Sequence, residues 1–186
     1  MSQIHKSLQG QILLDGGKLH GSFFHRSVVL ICQHNEEGAF GLILNRSSDS
    51  KVGQALVANL SKTLKAQPLF VGGPVQPGTL SFLHTDSVLL EANVMPNLSL
   101  GHSLDTLMDL SESFSGSQQL KLFAGYSGWT AGQLDQEMAR KDWLVHPASL
   151  DLVFCPDPTQ LWKQILRQKG DKNRWLAESP DDLSWN

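Results

Sequence analysis

Two uninterrupted apolar runs constrain this chain more than any other feature. Ser27-Val28-Val29-Leu30-Ile31-Cys32 and Ala39-Phe40-Gly41-Leu42-Ile43-Leu44 flank the polar, turn-forming segment His34-Asn35-Glu36-Glu37-Gly38. Apolar runs of this length bounded by turn residues predict β-strands, and the lack of polar alternation predicts that both faces are covered. The segment is read as a hairpin buried in the middle of a sheet.

The remaining periodicity is weaker. Gln11 to Leu14 reads as a short strand before the flexible Gly16-Gly17. Ser50 is placed to cap a helix running to about Leu64, with Val52, Leu56, Leu60 and Leu64 on one stripe. Leu69-Phe70-Val71 reads as a strand stopped by Gly72-Gly73-Pro74, and Leu80-Ser81-Phe82-Leu83 as another. Ser103 caps a helix to about Leu110. Leu120-Lys121-Leu122-Phe123-Ala124 is a strand ended by Gly125-Tyr126-Ser127-Gly128-Trp129, after which Thr130 and Gln133 form a capping box for a helix to about Lys141. Leu150 to Phe154 reads as a last strand, and Asp157 with Pro158 opens a helix to about Gln168. Residues 171–186 show no clear period and read as a polar C-terminal tail behind a single domain of residues 1–170. Strands and helices are interspersed without strict alternation, which predicts an α+β fold.

Composition narrows the function classes. With 40% hydrophobic and 18% charged residues, the chain has the balance of an ordinary globular protein. A net charge of −3 lacks the footprint of a phosphate-backbone binder, so direct DNA binding is not expected. The first residues lead into no apolar signal core, and no stretch nears the ~18–20 apolar residues that span a bilayer, so a cytoplasmic protein without membrane contact is expected. The two cysteines, Cys32 and Cys155, stand far apart in apolar stretches and read as buried free thiols. His84 and His102 have no partners at metal-ligand spacing, so neither metal nor cofactor is expected.

Three stretches, in order and at their spacing, resemble the YqgE/AlgH family. They are Phe24-His25-Arg26-Ser27 through Leu44-Asn45-Arg46; Phe70-Val71-Gly72-Gly73-Pro74-Val75; and Gly125-Tyr126-Ser127-Gly128-Trp129 with Gly132-Gln133-Leu134 and Trp143. The resemblance covers roughly residues 9–170. It implies a mixed, mostly antiparallel sheet bent into a barrel-like core with flanking helices. The family's name carries a proposed role in regulating transcription of exopolysaccharide genes; no activity is implied. The chain departs from the pattern at Ser47, where proline is usual, at Ser127, where alanine is usual, and at Asp135, where glutamate is usual.

The hairpin supplies the one constellation with computable geometry. If the loop is His34 to Gly38, Gln33 faces Ala39 and Arg26 falls opposite Arg46. Opposed side chains start only ~4.5–5.5 Å apart at Cβ, and two guanidiniums cannot shed their charge. A carboxylate such as Glu137 or Asp135, or a bound phosphate or carboxylate, would relieve them; otherwise they splay into solvent or a register slip separates them. His34 lies about eight residues along the strand, roughly 26 Å away, too far to share a small site in a straight hairpin. Gly72 and Gly73 read either as donors of backbone N–H groups to an anion or as a tight corner in the sheet. Tyr126 or Trp129 would form a wall of an anion site made by Arg26, Arg46, Gly72 and Gly73. Ser127 resembles a hydrolase nucleophile, but Trp129 stands where that motif needs glycine. Gln133 and Glu137 share a helix face with each other and nearly with Arg140.

No nucleophile or general base follows from these residues. The sequence is read as a regulatory or binding module for an unknown protein or small anionic ligand, with an indirect role in transcription. The alternative is an enzyme or sensor acting on a phosphorylated or carboxylated metabolite at Arg26 and Arg46.

Overall fold

A computed structural model describes residues 6–85, 92–113 and 116–180. The described strands are β1 (Gln11–Asp15), β2 (Val28–Asn35), β3 (Gly38–Ile43), β4 (Ser47–Lys51), β5 (Pro68–Val71), β6 (Val75–His84), β7 (Ser99–Gly101), β8 (Leu120–Thr130) and β9 (Trp143–Pro147). The helices are α1 (Val52–Ala55), α2 (Lys62–Lys65), α3 (Leu104–Ser113), α4 (Gln133–Ala139), α5 (Leu150–Val153), α6 (Leu161–Gln168) and α7 (Asp171–Glu178), with a 3-10 turn at Pro158–Gln160. The strands form one mixed sheet in the order β4-β5-β8-β3-β2-β1-β9, and β6 pairs with both β7 and β8. Its described pairings are antiparallel except β5 with β8, so the fold is α+β with a mostly antiparallel sheet.

The central hairpin is buried on both faces, as its unbroken apolar runs require. Leu30 and Leu42 look into a core closed by Leu161, Trp162, Ile165 and Leu166 of α6. Val29, Ile31 and Ile43 look the other way, against Trp129, Leu134 and Trp143. A third cluster joins Leu122 and Phe82 to Leu107 and Leu110 of α3.

Strand β8 holds these layers together. Its first half pairs with β5 and β6 through Leu122 to Ala124, and its second half pairs with β3 through Ser127 to Thr130. Gly125, at φ +68°, sits at the change of partners, where a Cβ would stand 2.7 Å from Gly73 O. Gly125 therefore bends the strand where the sequence predicts its end.

Other local readings also change. The stripe from Val52 to Leu64 is divided between α1 and α2, with Leu56 already extended, and Ser50 lies in β4. Leu150–Val153 is a helical turn, not a strand: the Ser149 side chain accepts the Leu152 N–H as an N-cap. Trp143–Pro147, unassigned from sequence, pairs with β1 along its length. Past Gly170 the chain forms α7, whose Ala177 is buried in the α6 core with Leu176 against it. Among the described residues, no helix is long and apolar enough to cross a membrane.

Candidate functional site

The two arginines do not form an opposed pair. Around Val29 to Ile31 the hairpin has the expected register, but it shifts at Cys32, so Gln33 faces Phe40 and the turn tightens to Asn35–Gly38. At the other end Asn45 replaces the ladder: its Oδ1 accepts the Val28 N–H at 2.9 Å and its Nδ2 donates to Arg26 O at 2.9 Å. Arg26 takes a left-handed φ of 53°. Its Nη2 donates to Ser179 O and Pro180 O at 2.7 and 2.8 Å, and its guanidinium lies 4.9 Å from the Trp162 ring. Arg46 turns the other way, donating to Phe23 O at 2.7 Å and lying 4.6 Å from the Phe23 ring, where partial burial lowers its pKa.

The carboxylates expected to neutralise them have other partners. Glu137 Oε2 accepts the indole N–H groups of Trp129 at 2.9 Å and Trp143 at 2.8 Å, and Oε1 accepts from Gln133 Nε2 at 3.0 Å. Asp135 lies 3.9 Å from Nε2 of His34, whose Nδ1 accepts the Leu8 N–H. Gln133 Oε1 also accepts the Thr130 N–H, completing half of the expected capping box.

The remaining expected site residues are separated. Gly72 donates its N–H to Ala124 O at 2.9 Å, and its carbonyl accepts from Ile43 N and Ser127 Oγ, both at 3.0 Å. A Cβ on Gly73 would lie 2.2 Å from the Tyr126 carbonyl. These glycines serve backbone-to-backbone approach at a sheet corner. Tyr126 stacks on Phe40 at 4.8 Å on one side of β8, while Trp129 belongs to the cluster on the other. Ser127 is fully buried in mid-strand, far from the exposed turn a nucleophile needs. His102 Nδ1 lies 3.1 Å from Ser81 Oγ. Among the described residues, no group of three or more His, Cys, Asp or Glu is placed to hold a metal.

A different residue stands out. Lys121 is only 5% exposed, yet it carries an ammonium. Its Nζ donates to Leu44 O at 2.8 Å and Val153 O at 3.1 Å, and it lies 4.1 Å from the Phe70 ring. Among the described residues no carboxylate pairs with it. Desolvation pulls its pKa down to about 8, with the Cys155 charge acting in the opposite direction. Lys121 lines an open cavity of about 540 Å³ that also takes in Ser47, Gln67, Phe70, Gln119 and Cys155. Three segments build it: the start of β8, the β4–β5 edge, and the chain between α5 and the 3-10 turn. The signal was present in the sequence as one charge inside Leu120 to Ala124, a run whose neighbours are all apolar.

An AlgH-like family model matches residues 12–174. The chain belongs to the AlgH-like family. A UPF0301 protein of Chlorobium phaeobacteroides is 34% identical over 184 residues, covering 97% of each chain. Another from Methylococcus capsulatus is 36% identical over 172 residues, covering 89% of this chain and 93% of the relative. Among solved structures, the AlgH protein of Pseudomonas aeruginosa superposes with a TM-score of 0.75 at 24% identity, covering 97% of this chain and 98% of that one. A Corynebacterium diphtheriae protein gives the same TM-score at 25% identity, covering 96% and 95%. Within this AlgH-like chain the three departures from the family pattern have separate places. Ser47 lines the Lys121 cavity, Ser127 ties β8 to Gly72, and Asp135 lies beside His34.

Proposed function

We propose that this AlgH-like chain is a cytoplasmic binding module, with any effect on transcription indirect, and that its ligand is a small carboxylated or phosphorylated molecule seated against Lys121. One observation carries the reading: a nearly buried ammonium with only neutral carbonyl partners, on the wall of an open cavity of about 540 Å³. Burying a cation without a counter-charge is costly, and an anionic ligand would supply that charge. The cavity volume falls in the usual range for small-molecule sites, and the lining mixes apolar rings with amide and hydroxyl groups. Arg26 and Arg46 support the reading less well, because each is only half-buried and neither lines that cavity.

A thermal-shift series against organic acids, phosphorylated sugars and nucleotides tests it, with Lys121→Met and Arg26→Ala as controls. A ligand at 100 times its Kd adds about 2.7 kcal/mol of stability. The expected hit disappears in Lys121→Met and survives in Arg26→Ala; the opposite pattern would move the site to Arg26. Affinity should fall as pH rises through about 8, where Lys121 loses its proton.

A further inference from the structure

We infer that Cys155 is a thiolation site whose thiolate exchanges with a carboxylate-bearing, low-molecular-weight disulfide, Lys121 holding the incoming carboxylate. The inference rests on the reading of the Lys121 cavity as an anion site and narrows its ligand.

The two cysteines of this chain differ in access and surroundings. Cys32 is fully buried in the hairpin, where desolvation pushes its thiol far above the ordinary range. Cys155 is half-buried on the cavity wall, and its Sγ donates to Asp157 O at 3.4 Å on the exposed side. Lys121 faces the same cavity, and its ammonium is hydrogen-bonded to the carbonyl of Val153, two residues before the thiol. The thiolate is the attacking species in disulfide exchange, and a thiol on an open cavity wall can meet a disulfide that a core thiol cannot. The cavity has room for more than a thiol, and Gln67 and Gln119 on its wall suit a ligand with amide groups.

The exchange balances without further reagents. Cys155 Sγ, as thiolate, attacks one sulfur of the disulfide; a new S–S bond forms as the old one breaks. The departing half leaves as a thiolate and takes up the proton that Cys155 released. Cys155 is oxidised, and the departing half is reduced.

The test uses the full chain, near neutral pH at low salt, with two small disulfides of opposite charge: glutathione disulfide, which carries carboxylates, and cystamine, which carries amines. Peptide mass spectrometry over time reads which cysteine is modified and how fast. The expected result is an adduct on Cys155 and none on Cys32, forming roughly fivefold faster with glutathione disulfide because the site is cationic. Lys121→Met should erase that preference and Lys121→Arg should keep it, while Cys155→Ser abolishes the adduct. Labelling of Cys32 reports unfolding, so a Lys121 variant that fails to fold is recognised by it, and Lys121→Arg then carries the comparison. An unmodified Cys155, or equal rates for the two disulfides with the native chain, overturns the inference. If Cys155 stays unmodified while organic acids still raise the melting temperature of Cys155→Ser, the thiolation site falls and the anion-binding reading stands. A charge-selective adduct without any shift from free acids keeps the thiolation site and removes reversible binding.

Discussion

Asp15 and Lys121 are both buried charges, and the contrast between them separates structure from opportunity. Asp15 is fully buried, and its Oδ1 accepts the N–H groups of Gly17 and Leu19 at 2.8 and 3.1 Å. Its Oδ2 accepts the Arg26 N–H at 2.8 Å, with His25 Nδ1 3.5 Å away. The carboxylate organises the loop between β1 and β2, with both oxygens engaged by backbone donors. Lys121 has two carbonyl partners, no carboxylate among the described residues, and a cavity in front of it. A charge whose surroundings are complete explains a fold, whereas a charge whose surroundings are incomplete calls for a ligand.

The largest effect that would sharpen this contrast is expected at the complete site. Asp15→Ala strands three backbone donors and should cost on the order of 4 kcal/mol in denaturant unfolding. A loss below about 1 kcal/mol would mean the loop re-forms around water, and the comparison would break.

Next comes the pH dependence of Lys121. Its folded pKa of about 8 lies below the ordinary value of 10.5, so the burial penalty is fully present below pH 8. Between those values the unfolded state binds more protons, and stability should rise with pH by roughly 3 kcal/mol in total. Unfolding titrations from pH 7 to 11 should show this rise in the native chain and lose it in Lys121→Met. A native profile indistinguishable from the variant's would show that Lys121 is solvated after all.

Glu137 is the intermediate case, half-buried with two indoles and an amide as donors. Trp143→Phe removes one donor and some ring area, for an expected loss of about 2 kcal/mol. Indole side-chain NMR signals would confirm that Trp129 keeps its bond. The smallest effect belongs to Cys155→Ser, expected within about 0.5 kcal/mol because the thiol is partly exposed. Cys32→Ser should cost more, about 1–2 kcal/mol, since a hydroxyl replaces a thiol in an apolar core.

Legibility followed the strength of local patterns. The hairpin was readable because strands covered on both faces leave unbroken apolar runs, and β5 and α3 because glycine-proline and serine punctuate them. Strand β8 was cut short because Gly125 signals termination in a straight strand, and only the approach of Gly73 shows that it bends instead. Leu150 to Phe154 reads as a strand because a short apolar run has no period to distinguish strand from helix, and the Ser149 cap makes it a helical turn. The site was hidden for a related reason. The arginine pairing extrapolated a register that held from Val29 to Ile31 past the point where Asn45 ends the ladder. Lys121 lay inside a strand read for its apolar neighbours, and its carbonyl partners are 77 and 32 residues away in the chain.

That separation bears on how the protein assembles. An ammonium that joins β8 to Leu44 and to Val153 cannot settle until both distant segments have docked, so its contacts belong to the last stage of folding. Changes at Lys121 should therefore register in the unfolding rate and leave the refolding rate nearly untouched, with a φ-value near zero in stopped-flow chevrons. A ligand seated against that ammonium would act in the same way, setting how long the native chain persists and leaving almost unchanged how quickly it forms.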